Sequence, residues 1–208
     1  MKAGSSARNP LPRNFYDQPT LEVARNLIGA RLCNQVGEQT ISGIITETEA
    51  YIGEEDLGCH AKSGLTKRTA VMYGQSGMSY IYFTYGNHWM FCAVTETKGI
   101  PAAVLVRAVV IDQGLEIVRR NRGHVTRKLW TDGPGKLTQA MEITGRQHNA
   151  DITSPASGIW IEEGRLIPDE SVTIRPRVGL YNVPEPWKSI PWRFLVTRKT
   201  NLEDLWDY

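Results

Sequence analysis

The run from Pro101 to Ile111, PAAVLVRAVVI, constrains this chain more than any other segment. A nearly continuous apolar stretch rich in β-branched residues predicts a central strand covered on both faces. Arg107 lies inside it, where an unpaired guanidinium would cost on the order of several kcal/mol. It therefore needs a carboxylate or polar partner. In the segment ITETEAYIG the side chains alternate, so Glu47, Glu49 and Tyr51 share one face and Thr46, Thr48 and Ala50 the other. Either glutamate can supply that partner, and an Arg–Glu pair converging in a cleft can hold and activate a water. The plainer readings are a structural ion pair and, for the glutamates, the exposed polar face of an edge strand.

Around this strand the pattern is mixed. Leu21, Ala24, Leu27 and Ile28 have helical spacing, with Asp17 and Pro19 as start signals and Gly29 as a stop. Strands are expected at about 30–36, 40–52, 78–85, 89–97 and 102–111, with Gly86-Asn87 as a hairpin turn. Helices follow around 113–121 and 135–144, each ending at a glycine, and IWIEEGRLI, VTIRPRV and WRFLVTR add strands. Strands and helices do not alternate regularly. This favours a single α+β domain over residues 15–208, a curved antiparallel or mixed sheet with flanking helices and a protruding β-hairpin. Residues 1–14 lack periodicity and read as a disordered, weakly basic arm.

Composition narrows the class further. The 208 residues carry no apolar stretch of membrane-spanning length and no apolar core of a secretion signal at the start. The expectation is a cytoplasmic protein, or a nuclear one in a cell with a nucleus, with no membrane partner. Cys33, Cys59 and Cys92 are odd in number and widely spaced, which predicts reduced thiols and neither a disulfide framework nor a zinc site. The net charge of +2 is too mild to announce a nucleic-acid partner. Charge placement says more. RRNRGHVTRK over 119–128 has five fixed cations and no acid, and Lys62, Lys67 and Arg68 form a second cluster. Glu54, Glu55, Asp56, Glu203, Asp204 and Asp207 lie elsewhere. A face that tracks phosphates has this layout, and so does a pair of solvated stretches.

Aromatic residues complete the candidate site. In MSYIYFTYGNHW, Tyr80 and Tyr82 share a face, while Tyr85 lies at the mouth of the turn, badly placed for a core. A tyrosine there can wedge between base pairs and fill the gap left by an extruded nucleotide, while Tyr51 and Tyr82 stack on the base. His60 and His88 lack metal-ligand spacing, so a base-contacting or core role is expected for His60 and no metal or other cofactor is implied. The segment 132–137, DGPGKL, reads as a helix start with Lys136 in its first turn, a place for one phosphate.

Taken together, FYDQPTLEVARNLIGARL, ETEAYIGEEDLGCH, SYIYFTYG, LVRA and DGPGKL resemble the alkyladenine (3-methyladenine) DNA glycosylase family from about Phe15 to Arg198. The resemblance implies a metal-free, monofunctional enzyme, acting as a monomer on double-stranded DNA that contains alkylated or deaminated purines. It implies Glu49 as general base and Arg107 as a residue positioning the water. Tyr51, His60, Tyr82 and Cys92 would line the base pocket, and Tyr85, Gly86, Asn87, His88, Lys67, Arg68 and Lys136 would contact DNA. The chain departs from the family pattern where Cys92 and Thr69 replace asparagines and where the turn reads Asn87-His88-Trp89.

The chemistry is coherent. Alkylation at N3 or N7 leaves a cationic purine that is already a good leaving group, and a carboxylate beside the sugar stabilises developing positive charge. Stacking between tyrosines is expected to favour a cationic base by about 0.5–2 kcal/mol per ring. A non-catalytic nucleic-acid-binding domain of the same fold is the main alternative, opposed by Glu49, which would weaken simple binding to a polyanion. A nucleoside hydrolase is the second, opposed by Tyr85 and the basic 119–128 stretch.

Overall fold

In the computed structural model, which describes residues 9–197, the apolar run becomes strand β5 (Ala102–Gln113), covered on both faces as expected for a central strand. The other strands are β1 (Arg31–Val36), β2 (Gln39–Ile52), β3 (Ser79–Thr84), β4 (His88–Val94), β6 (Ile159–Glu162), β7 (Val172–Arg175) and β8 (Arg193–Val196). They form one sheet in the order β3-β4-β5-β2-β1-β6, with β8 pairing both β2 and β7. All of these pairings are antiparallel. The helices are α1 (Arg13–Tyr16), α2 (Thr20–Asn26), α3 (Leu115–Arg122) and α4 (Pro134–Ala140). This is the α+β architecture expected of the sequence.

Strand β2 decides how the site is built. From Ser42 to Ile52 it pairs β5; on its other edge β1 pairs its first part and β8 its second, at Glu47, Thr48 and Glu49. The β2–β5 register shifts on both sides of Glu47, a bulge that re-aims side chains. Glu49 is thus on a central strand, and the edge-strand reading of its face does not hold. Alternation then sorts the two faces: Val104, Val106, Phe91 and Ile81 join the larger core with α2 and α4, while Ala103, Leu105, Cys92, Met90 and Tyr80 form a second cluster that packs Tyr51 and Tyr82.

Several boundaries differ from expectation for identifiable reasons. Helix α4 stops early because Glu142 takes a left-handed φ of 56°, and β4 stops at Val94 just before Glu96 turns the chain with φ 66°. That glutamate has a use. Its Oε1 accepts from the Thr20 N–H at 2.7 Å, capping α2, which has no side-chain cap of its own. Residues 1–8 of the expected arm lie outside the described residues, as do Glu203, Asp204 and Asp207. The remainder of the arm is packed: Leu11 is buried and its N–H donates to Ile161 O at 2.8 Å, and Arg13 pairs with Asp151 at 2.6 Å. The basic stretch is also less uniform than its sequence implies, since Arg122 is buried against Gln139 and Arg120 pairs with Glu142. Arg119, His124, Arg127 and Lys128 remain exposed.

Candidate active site

Strands β2 to β5 and the segment after β7 enclose a cavity of about 400 Å³. Tyr51, His60, Tyr80, Tyr82, Met90, Cys92, Leu105 and Arg107 line it, with Tyr85, His88 and Lys136 also on its wall and Val178, Gly179 and Leu180 across from the sheet. Its size suits one flat heterocycle, and its walls are mainly aromatic and apolar with a few polar groups.

At its floor lies the ion network expected from Arg107. The guanidinium donates from Nε to Glu47 Oε1 at 2.7 Å and from Nη1 to Glu49 Oε2 at 3.3 Å. Arg193 donates to the same Glu47 oxygen at 3.1 Å. Glu49 is fully buried. Its Oε2 also accepts from the Tyr51 hydroxyl at 2.8 Å, and its Oε1 accepts from the Val178 N–H at 2.6 Å. Tyr51, Arg107 and Val178, the three donors, are themselves cavity-lining residues, so the carboxylate sits one atom layer behind the wall. Burial holds its carboxyl above the usual range, opposed by Arg107, the Val178 N–H and the Tyr51 hydroxyl. A poised base of this kind is common where chemistry is done.

His60 and Tyr82 meet edge to face at 4.5 Å between ring centroids. The His60 Nδ1 lies 2.8 Å from the Tyr80 hydroxyl, and Arg68 Nη2 lies 3.3 Å from Nε2. A guanidinium only donates, so Nε2 accepts and the imidazole proton sits on Nδ1. Burial together with Arg68 and Lys62 lowers the His60 pKa to about 4, which keeps the ring neutral. Cys92 lies opposite Tyr80 across the β3–β4 pair and faces the cavity, and burial pushes both its thiol and that of Cys59 up, Cys59 to about 12.

The residues 85–87 join β3 to β4. Tyr85 has a left-handed φ of 52° and is 79% exposed, and Gly86 follows in the same region at 73°. Gly86 and Asn87 stay outside the cavity lining, while His88 lines it and packs so closely on α4 that a Cβ at Gly135 would meet its ring at 2.7 Å. Lys136 pairs with Asp132 at 2.9 Å. Lys67 is exposed and apart from the cavity, whereas Arg68 lies over the Tyr82 ring, 5.3 Å from its centroid.

Sequence reasoning missed one wall. Asp56, grouped there with Glu54 and Glu55 as acids apart from the basic stretches, is completely buried in an ion pair with Arg177 at 2.5 Å. Arg177 also donates to Ala50 O at 3.0 Å and Trp187 O at 3.2 Å, and its guanidinium lies 4.7 Å from the Tyr51 ring centroid and 5.1 Å from that of Trp192. This anchor sets the next residue, Val178, against Glu49.

Similarity to known proteins gives the class, that of the DNA glycosylases. The chain belongs to the methylpurine-DNA glycosylase family, whose model matches residues 14–200. It is 42% identical over 188 residues to a protein of Myxococcus xanthus, covering 90% of each chain. Over 186 residues it is 44% identical to one of Methanocella arvoryzae, covering 88% of this chain and 90% of the relative. A Wolbachia pipientis protein is 41% identical over 198 residues, covering 95% of this chain and 94% of the relative. Each of the three bears the name "Putative 3-methyladenine DNA glycosylase". Among the described residues no helix is long and apolar enough to cross a membrane.

Proposed function

We propose that the protein extrudes a damaged purine from duplex DNA into the 400 Å³ cavity and hydrolyses its N-glycosidic bond with a water activated by Glu49. The observation that carries this is the buried Glu49, held by two cavity-lining residues, Arg107 through an ion pair and Tyr51 through a hydrogen bond. The purine leaves with the electron pair of the C1′–N bond. Water oxygen bonds to C1′, and Glu49 accepts the water proton while its charge favours the cationic sugar. Arg107 holds Glu49 in place and restrains the water. Because Glu49 is fully buried, the step needs the Val178–Leu180 wall to yield enough for water to reach the carboxylate.

Tyr85 would occupy the gap in the base stack, with Gly86, Asn87 and His88 along the minor groove and Lys67 and Lys136 at phosphates. One chain supplies the whole lining, so a monomer suffices. The reading favours work in the compartment that holds the DNA.

The test uses duplexes bearing one hypoxanthine, 1,N6-ethenoadenine or 7-methylguanine, with alkali cleavage of abasic sites after incubation. Release of at least one lesion, undiminished by a chelator, is expected. A borohydride-trapped protein–DNA adduct would contradict a water nucleophile and point instead to a lysine such as Lys136.

A further inference from the structure

The hairpin of β3 and β4 has a second aromatic face. Tyr82 and Met90 pair across the two strands and line the cavity, so by alternation their neighbours Phe83 and Trp89, paired one step further on, face the other way and take no part in the lining. Their ring centroids lie 4.8 Å apart. Trp89 packs against the core, and its ring lies so close to Gly145 that a Cβ there would meet it at 2.7 Å. Phe83 rests on this fixed ring, on the end strand of the sheet, and is 46% exposed. An exposed apolar patch with a polar rim marks a contact surface.

The rim indicates the chemistry of the partner. A shallow depression is lined by the apolar Ile81, Phe83 and Trp89 together with Arg68 and His148, and it shares Tyr82 with the cavity. Among the described residues no carboxylate lines it. The Ile81 N–H donates to His148 Nδ1 at 3.1 Å, which leaves Nε2 to carry the imidazole proton. His148 and Arg68 are both exposed, so the depression offers apolar surface beside two hydrogen-bond donors, one of them charged. A deoxyribose with its phosphate has the complementary character. Position agrees, because Phe83 precedes Tyr85 by two residues, and two extended residues span roughly 7 Å, about two base-pair steps. With Tyr85 in the gap of the base stack, a nucleotide beside the lesion comes within reach.

We propose that this depression is a second nucleotide site, outside the base cavity, which holds the sugar and phosphate of a nucleotide flanking the extruded one, with Phe83 and Trp89 against the deoxyribose and Arg68 and His148 toward the phosphate. It rests on the reading of the cavity and of Tyr85 given above. Its contribution is to hold the duplex, whichever lesion the cavity receives.

The experiment measures affinity for duplexes bearing one central hypoxanthine, over a series of salt concentrations, for the wild type, Phe83→Ser and Arg68→Met. Phe83→Ser removes apolar surface and no charge, so binding should weaken about fivefold with the salt dependence unchanged. Arg68→Met should lower the slope of log affinity against log salt by about one. A scan with single methylphosphonates near the lesion, on both strands, needs no change at Phe83 and decides the matter even where Phe83→Ser fails to fold. Neutralising one flanking phosphate should weaken the wild type about fivefold and leave Arg68→Met unaffected. Equal losses in the two proteins at every position, or wild-type affinity in a folded Phe83→Ser, overturns the proposal, while release of hypoxanthine by the wild type keeps the glycosylase reading intact. A wild-type dimer that Phe83→Ser dissociates would assign the face to a second copy of the chain and overturn it too. No release by the wild type from any lesion duplex overturns that reading and the proposal with it.

Discussion

The Tyr51 hydroxyl donates to Glu49 Oε2 at 2.8 Å, so a wall of the cavity and the candidate general base are one hydrogen-bonded unit. Any change in the wall is felt by the carboxylate.

Tyr51→Phe removes one of the donors that oppose the effect of burial on Glu49, so the carboxyl is held still higher. A general base must be deprotonated to act, and the rate falls as pH drops through its pKa. The acidic limb of the pH–rate profile should therefore move to higher pH, with a larger loss at pH 6 than at pH 8. A profile that drops uniformly would show that the hydroxyl does not tune Glu49.

The Asp56–Arg177 pair is buried on both sides. Removing one partner leaves the other charge without compensation in the interior, which costs about 3–5 kcal/mol. Asp56→Ala should lower denaturant stability by that amount and loosen the Val178 N–H at Glu49. A loss below about 1 kcal/mol would show that water reaches Arg177.

These residues mark where sequence reading ended. The β pattern, the Arg107–glutamate contact and the shared face of Tyr80 and Tyr82 follow from alternation and from the cost of a lone buried charge, both local properties. Asp56 and Arg177 meet across 121 positions, and Val178 reaches Glu49 across 129. The only trace of that wall in the sequence is an arginine within VTIRPRV, which an exposed strand would also carry. Packed residues 9–14 escaped for a similar reason: Leu11 and Arg13 are fixed by Ile161 and Asp151, and nothing periodic announces it.

Tyr85 is 79% exposed on a left-handed backbone, a placement that packing does not repay. If it fills the gap of an extruded base, Tyr85→Ala should slow excision from a well-paired lesion by about tenfold or more, and from a mismatched one by clearly less, because a mismatch has less stacking to lose. Equal losses in paired and mismatched duplexes would rule out the wedge.

Cys92 faces the cavity, where the family resemblance places an asparagine. A thiol is smaller than a carboxamide and a weaker hydrogen-bonding group. Cys92→Asn should lower excision of 7-methylguanine relative to hypoxanthine, by about tenfold for a clash the size of one amino group. An unchanged ratio of single-turnover rates would show that guanine's amino group points elsewhere.

The central claim is that Glu49 acts in bond cleavage and contributes little to docking. The most direct measurement is the single-turnover rate of Glu49→Gln on a hypoxanthine duplex, beside its affinity for the same duplex. The account predicts a rate lower by about 10²-fold or more with affinity within a few-fold of wild type. A variant that keeps more than about a tenth of the wild-type rate would contradict it.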